Sequence, residues 1–148
     1  MNKQIVMVPT DFSELSNVAV DYAFSMVKRL GGKMIFLHSV DWSKYEMTAL
    51  SNEVYDFAKK EAAKLLDDLV ERAKRLGIEA EGKWVEGPPF VEIIHMAKKM
   101  NADLIIMGTH GRTGLSNIVI GSQAERVVRQ APCPVLTVKS PTHVFVPV

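Results

Sequence analysis

Residues 103 to 125, Asp-Leu-Ile-Ile-Met-Gly-Thr-His-Gly-Arg-Thr-Gly-Leu-Ser-Asn-Ile-Val-Ile-Gly-Ser-Gln-Ala-Glu, constrain this chain more than any other stretch. The apolar run at 104 to 107 is too short for a helix and stops at Gly108, which predicts a buried strand running into a loop. That loop carries Gly108, Gly111, Gly114 and Gly121. Glycines so closely spaced let backbone N–H groups converge on one concavity without Cβ obstruction, and such a nest binds anions, phosphate above all.

Beyond Gly121, the residues Ala124, Val127, Val128 and Ala131 recur at helical spacing, so a helix is expected to start at about Ser122. Ser122 and Glu125 match a capping box, in which the serine only caps its helix. The alternative is a phosphate site, since unpaired amides and the positive end of the helix dipole follow a glycine-rich loop. Both readings leave N–H groups at that terminus. At Gly121 a valine is expected to fill the space of a phosphate and to demand a backbone shape it resists.

The pattern Gly108, two residues, Gly111, nine residues, then Gly121-Ser122 resembles the nucleotide motif of the ATP-binding universal stress proteins, matched at every fixed position. Three further segments resemble that family: Val-Pro-Thr-Asp-Phe-Ser at 8 to 13, Leu-His-Ser-Val at 37 to 40 and Ala-Pro-Cys-Pro-Val-Leu-Thr-Val at 131 to 138. The resemblance spans the chain and implies an adenine nucleotide alpha hydrolase-like fold with strand order 3-2-1-4-5. It implies ATP as ligand, with the backbone around Val40 at the adenine, Asp11 at the nucleoside and Gly108, Gly111, Gly121 and Ser122 around the phosphates; Pro9, Thr10, His110, Arg112 and Gln123, adjacent to these, are further candidates for binding it. Asp11 is also the candidate ligand for a Mg²⁺ ion.

The remainder of the chain alternates strands and helices. A buried first strand at 5 to 8 ends at Pro9, and Ser13 is the expected N-cap of a helix with the stripe Ala19, Ala23, Met26, Val27 and Leu30. A second strand covers 33 to 40. The longest helix is expected from Asn52 to Leu76, its apolar positions being Val54, Ala58, Leu65, Leu69, Ala73 and Leu76. Residues 78 to 86 suit a half-exposed edge strand, Pro89 opens a short helix, and residues 134 to 139 form the last strand. This order predicts an α/β fold, an open parallel five-stranded sheet with helices on both faces. No repeat, linker or composition shift divides residues 1 to 148, so one domain is expected.

With 148 residues the chain can bury roughly 70% of its unfolded surface, and its net charge is +1 with both signs interspersed. Nucleic acid and membrane surfaces are therefore not expected partners. One cysteine excludes an intrachain disulfide, and the apolar run after Met-Asn-Lys-Gln is too short for a signal peptide, so a cytoplasmic protein is expected. Cys133, flanked by prolines in an apolar setting, reads as an inert buried thiol. Arg112 suits either bidentate phosphate binding or a solvated surface, His110 is a candidate phosphate donor, and His38 and His95 read as structural.

No Gly-Lys-Ser/Thr follows the loop, so the lysine and metal-binding hydroxyl of a P-loop enzyme are missing and any hydrolysis should be slow. The leading expectation is a nucleotide-dependent regulatory or stress-response switch, at most a weak ATPase. A second is a dimeric interaction module without bound nucleotide. A third is an adenylating enzyme, but its Ser-Gly-Gly-x-Asp-Ser loop is replaced here by Pro-Thr-Asp-Phe-Ser. A homodimer through the last strand and the apolar tail Val144-Phe-Val-Pro-Val148 is expected, because an apolar edge would otherwise invite uncontrolled pairing.

Overall fold

A computed structural model describes residues 2–45, 51–110 and 120–139. Among these, five parallel strands form one sheet in the order β3-β2-β1-β4-β5. The strands are β1 (Ile5–Pro9), β2 (Lys33–Val40), β3 (Glu79–Glu86), β4 (Leu104–Gly108) and β5 (Val135–Val138). Between them run α1 (Glu14–Leu30), α2 (Ser51–Arg75), α3 (Pro89–Lys99) and α4 (Ser122–Gln130), with a short 3-10 turn at Trp42–Lys44. The expected fold class and strand order are those observed.

Side-chain alternation along the central strands decides which helix lies on which face. Val6 and Val8 of β1, Met34 and Phe36 of β2 and Ile106 of β4 pack with Ala19, Ala23, Phe24 and Val27 of α1 and Leu66 and Ala73 of α2. Their neighbours Met7, Leu37, Ile105 and Met107 point the other way, against Ile93 and Ala97 of α3 and Ala124 and Val127 of α4. The central strands are thus buried on both faces, which is why they read as continuous apolar runs. β3, at one edge, alternates between exposed and half-buried positions.

Three details depart from the sequence reading. Leu30, assigned to the apolar stripe of α1, is 64% exposed, because α1 ends there and Gly31 turns the chain away. In α2 Ala73 is buried and Leu69 and Leu76 pack against the core as expected, but in the first half of the helix the buried positions are Tyr55, Ala62 and Leu66 rather than Val54, Ala58 and Leu65. Val54, Ala58 and Leu65 instead line a cavity, whose apolar wall mimics a core face in the sequence. Finally, the N-cap of α4 is Gly121, with no side-chain cap, and Ser122 is the first helical residue. The Ser122–Glu125 capping box is out of register by one position and does not form, and Glu125 pairs with Arg129 at 2.8 Å.

Candidate functional site

A cavity of about 630 Å³ opens at the C-terminal ends of β1, β2 and β4. Strand order reverses between β1 and β4, and the connections there leave in opposite directions, so a crevice forms outside the strand ends. Pro9, Thr10 and Asp11 enter it from β1, Val40 from β2, Gly108 and His110 from β4, and Gly121, Ser122 and Gln123 from the start of α4. These nine expected residues therefore share one cavity. Gly111 and Arg112, the other two, lie outside the described residues, as does the tail at 144 to 148.

The β1–α1 turn is held by its own side chains. Asp11 Oδ1 accepts the Ser13 N–H at 3.0 Å and the Ser13 hydroxyl at 2.5 Å, and Ser13 Oγ accepts the Ser16 N–H at 3.1 Å as the α1 cap. The serine cap is as expected, while Asp11 supports the turn ahead of it. Phe12 takes a left-handed conformation, φ 63, which is rare for a bulky residue. Its ring lies 4.6 Å from that of His38, and both line the cavity.

At the opposite end the chain approaches itself closely. The Gly121 N–H donates to the Thr109 carbonyl at 2.7 Å, and a Cβ at Gly121 would stand 2.9 Å from that same oxygen. Since φ at Gly121 is −66, any residue can adopt its backbone. Glycine is required here by the approach of the Thr109 carbonyl, which corrects the expectation of a shape valine resists. A Cβ at Gly108 would meet the Leu15 carbonyl at 3.3 Å, so β4 ends tightly against the first turn of α1. His110 is buried, with Nδ1 3.0 Å from Thr109 Oγ1.

Charge is unevenly placed. Asp41 and Glu61 lie on the β2–α2 side of the cavity together with Lys44, whereas the described residues of the β4–α4 end contribute no carboxylate to the lining. Among the described residues no group of three or more His, Cys, Asp or Glu side chains is gathered to hold a metal ion. Cys133 lies apart from this cavity among the described lining residues, half-buried, and burial first and Asp103 second push its thiol up. That disfavours the reactive thiolate.

The sequence reading missed the α2 wall, where Val54, Phe57, Ala58 and Glu61 face the cavity, and the aromatic corner of Phe12, His38 and Tyr45. The signal for the wall was present as a second apolar stripe on α2, offset from the core stripe. Gln123 also has a role that spacing does not reveal. Its side-chain oxygen accepts the Phe90 N–H at 2.9 Å, supplying the cap that Pro88 cannot give to α3.

The family model described as "Universal stress protein family" matches residues 2–139. The chain is 35% identical to universal stress protein MJ0531 of Methanocaldococcus jannaschii, over 92% of this chain and 82% of that protein. The structure of MJ0577 from the same organism is similar with a TM-score of 0.86 at 29% identity, covering 97% of this chain and all of that one (100%). A universal stress protein in complex with cAMP matches with a TM-score of 0.67 at 26% identity, covering 95% of this chain and 99% of that one. Sequence and fold agree, and the chain belongs to the universal stress protein family.

Proposed function

We propose that the cavity binds an adenine nucleotide, with ATP as the ligand, and that the protein is a cytoplasmic, nucleotide-dependent switch in the stress response with at most slow hydrolysis. The observation that carries this reading is the polarity of the cavity. At one end Gly108 and the first N–H groups of α4 converge without a carboxylate among the described lining residues, which suits phosphates. At the other, apolar side chains suit a purine, and Asp41 and Glu61, only partly offset by Lys44, suit its sugar hydroxyls better than its phosphates. The cAMP complex of a relative supports an adenine ligand. Among the described residues Asp11 is the carboxylate beside the β1 end, so a Mg²⁺ would take most of its ligands from phosphate and water oxygens.

The same reading includes a single domain and a homodimer. Among the described residues β5 is an outermost strand with Val135 and Leu136 only half-buried, so a second copy pairing there would cover an apolar edge. Purified protein should release an adenine nucleotide on denaturation, identified by mass spectrometry, and the stripped protein should bind ATP in calorimetry. Protein that carries none and binds none would return the reading to a dimeric interaction module.

A further inference from the structure

Two hydroxyls on the cavity wall hold one proton more than the described residues around them accept. Thr10 Oγ1 and Ser16 Oγ are 2.9 Å apart, each residue is 6% exposed, and both line the cavity. Thr10 Oγ1 also accepts the Phe12 N–H at 3.0 Å, and Ser16 Oγ accepts the Asp11 N–H at 3.3 Å. Each hydroxyl has one proton and two lone pairs. One proton lies between the two oxygens, and the other is taken by none of the described residues. With Ser16 donating to Thr10, both lone pairs of Thr10 are filled, and its own O–H is left to point away from both partners.

We infer that Ser16 is a positioning residue that makes the Thr10 hydroxyl an obligate donor to an acceptor atom on the nucleoside part of the bound nucleotide, a ring nitrogen or a sugar oxygen. The inference rests on the nucleotide reading above. The nucleoside is favoured over the phosphates by where Thr10 is held. Its N–H donates to the Leu37 carbonyl at 2.9 Å and its carbonyl meets His38 Nδ1 at 2.8 Å, so it belongs to the β1–β2 side and not to the β4–α4 end. A buried donor with no acceptor is costly, and a ligand acceptor removes that cost, which makes the pair a device for selectivity.

Calorimetry with ATP and with analogues each lacking one acceptor (3-deaza, 7-deaza, 2′-deoxy and 3′-deoxy ATP) tests this on the parent, Thr10→Val, Ser16→Ala and Ser16→Thr. One analogue should bind the parent roughly tenfold more weakly than ATP, the scale of one hydrogen bond. Thr10→Val should bind ATP and that analogue equally. Ser16→Ala, which leaves the Thr10 hydroxyl able to turn, should reduce the preference to about threefold, and Ser16→Thr should restore it. General damage to the turn would weaken all ligands alike and leave the ratio unchanged. Should ATP bind the parent while Thr10→Val keeps the parent's ratio for every analogue, the donor role is overturned and the nucleotide reading stands. If instead Ser16→Ala keeps the parent's ratio, the positioning role is overturned. A parent that binds no adenine nucleotide overturns both readings.

Discussion

His38 Nδ1 lies 2.8 Å from the carbonyl oxygen of Thr10. A carbonyl only accepts, so the imidazole carries its proton on Nδ1, and this bond ties the end of β2 to the turn that leaves β1. The Phe12 ring packs on the same imidazole at 4.6 Å, beside a backbone held at φ 63. The structural part read for His38 in the sequence is therefore a concrete one.

Replacing His38 by Ala removes that bond and the ring contact together. Stability should fall by about 1–2 kcal/mol, a Tm decrease of roughly 2–8 °C, and nucleotide affinity should fall with it. Differential scanning calorimetry decides this, and a variant as stable as the parent would show that the β1 turn holds itself.

At Gly121 the obstacle to a side chain is the Thr109 carbonyl, 2.9 Å from the Cβ position. Even Gly121→Ala should therefore weaken ATP binding, by roughly tenfold, because the loop must shift to relieve the contact. Gly121→Val should abolish binding while the circular dichroism spectrum is kept. Binding of ATP by the valine variant within threefold of the parent would remove this loop from the site.

The strands were legible in the sequence because β1, β2 and β4 are buried on both faces and so appear as apolar runs, ended by Pro9, His38 and Gly108, while their order followed from the family resemblance. Helix faces were legible less well. In α2, Val54, Ala58 and Leu65 keep helical spacing as well as Tyr55, Ala62 and Leu66 do, and hydrophobicity alone does not tell a wall of a cavity from a wall of the core. The glycine loop marked the β4–α4 end of the site. The opposing α2 wall came from distant sequence with no motif, and the bond from the Phe90 N–H to Gln123 depends on how α3 and α4 meet.

Lys33 Nζ lies 2.8 Å from Glu81 Oε2, an ion pair between adjacent strands at the β2–β3 edge. The hydrogen bond from Lys33 holds the Glu81 carboxyl below its usual range, and the bond to Glu81 raises Lys33. Because the Glu81 pKa is depressed in the folded state, its contribution is present above the unfolded carboxylate pKa and lost as pH falls through the folded one. Glu81→Gln should cost less than about 1 kcal/mol at neutral pH, given the exposure of the pair. Urea titrations across pH should show the difference from the parent closing below about pH 4. A difference that persists in acid would mean the glutamate acts through packing.

Tyr55 is buried at 7% exposure beside Trp42 and Tyr45, and among the described residues its hydroxyl has no partner in hydrogen-bond geometry, while burial first and the nearby Glu86 carboxylate second push its pKa up. A buried hydroxyl without a well-formed bond is unfavourable, so Tyr55→Phe keeps the ring contacts and removes that cost, at the loss of only the weak interaction with Glu86. The variant should be as stable as the parent or more stable by up to about 1 kcal/mol. Thermal unfolding monitored by circular dichroism measures it, and a marked loss of stability would reveal a bond that the hydroxyl makes in solution.

ATP turnover separates a switch from an enzyme. Binding requires the amides at Gly108 and the α4 terminus, whereas hydrolysis also requires a positioned water and charge stabilisation at the γ-phosphate. Among the described residues of the cavity, Asp11 Oδ1 accepts two bonds from Ser13, and His110 Nδ1 is paired with the Thr109 hydroxyl at 3.0 Å. Asp11 Oδ1 and His110 Nδ1 are thus tied into local structure. We expect turnover far below the roughly 1 to 100 per second of kinases, with ATP acting as a ligand that stabilises one conformation or assembly. A single-turnover assay with labelled ATP and Mg²⁺, run beside Arg112→Ala, measures this. Rapid multiple turnovers lost on that substitution would make the protein a true ATPase and end the switch reading.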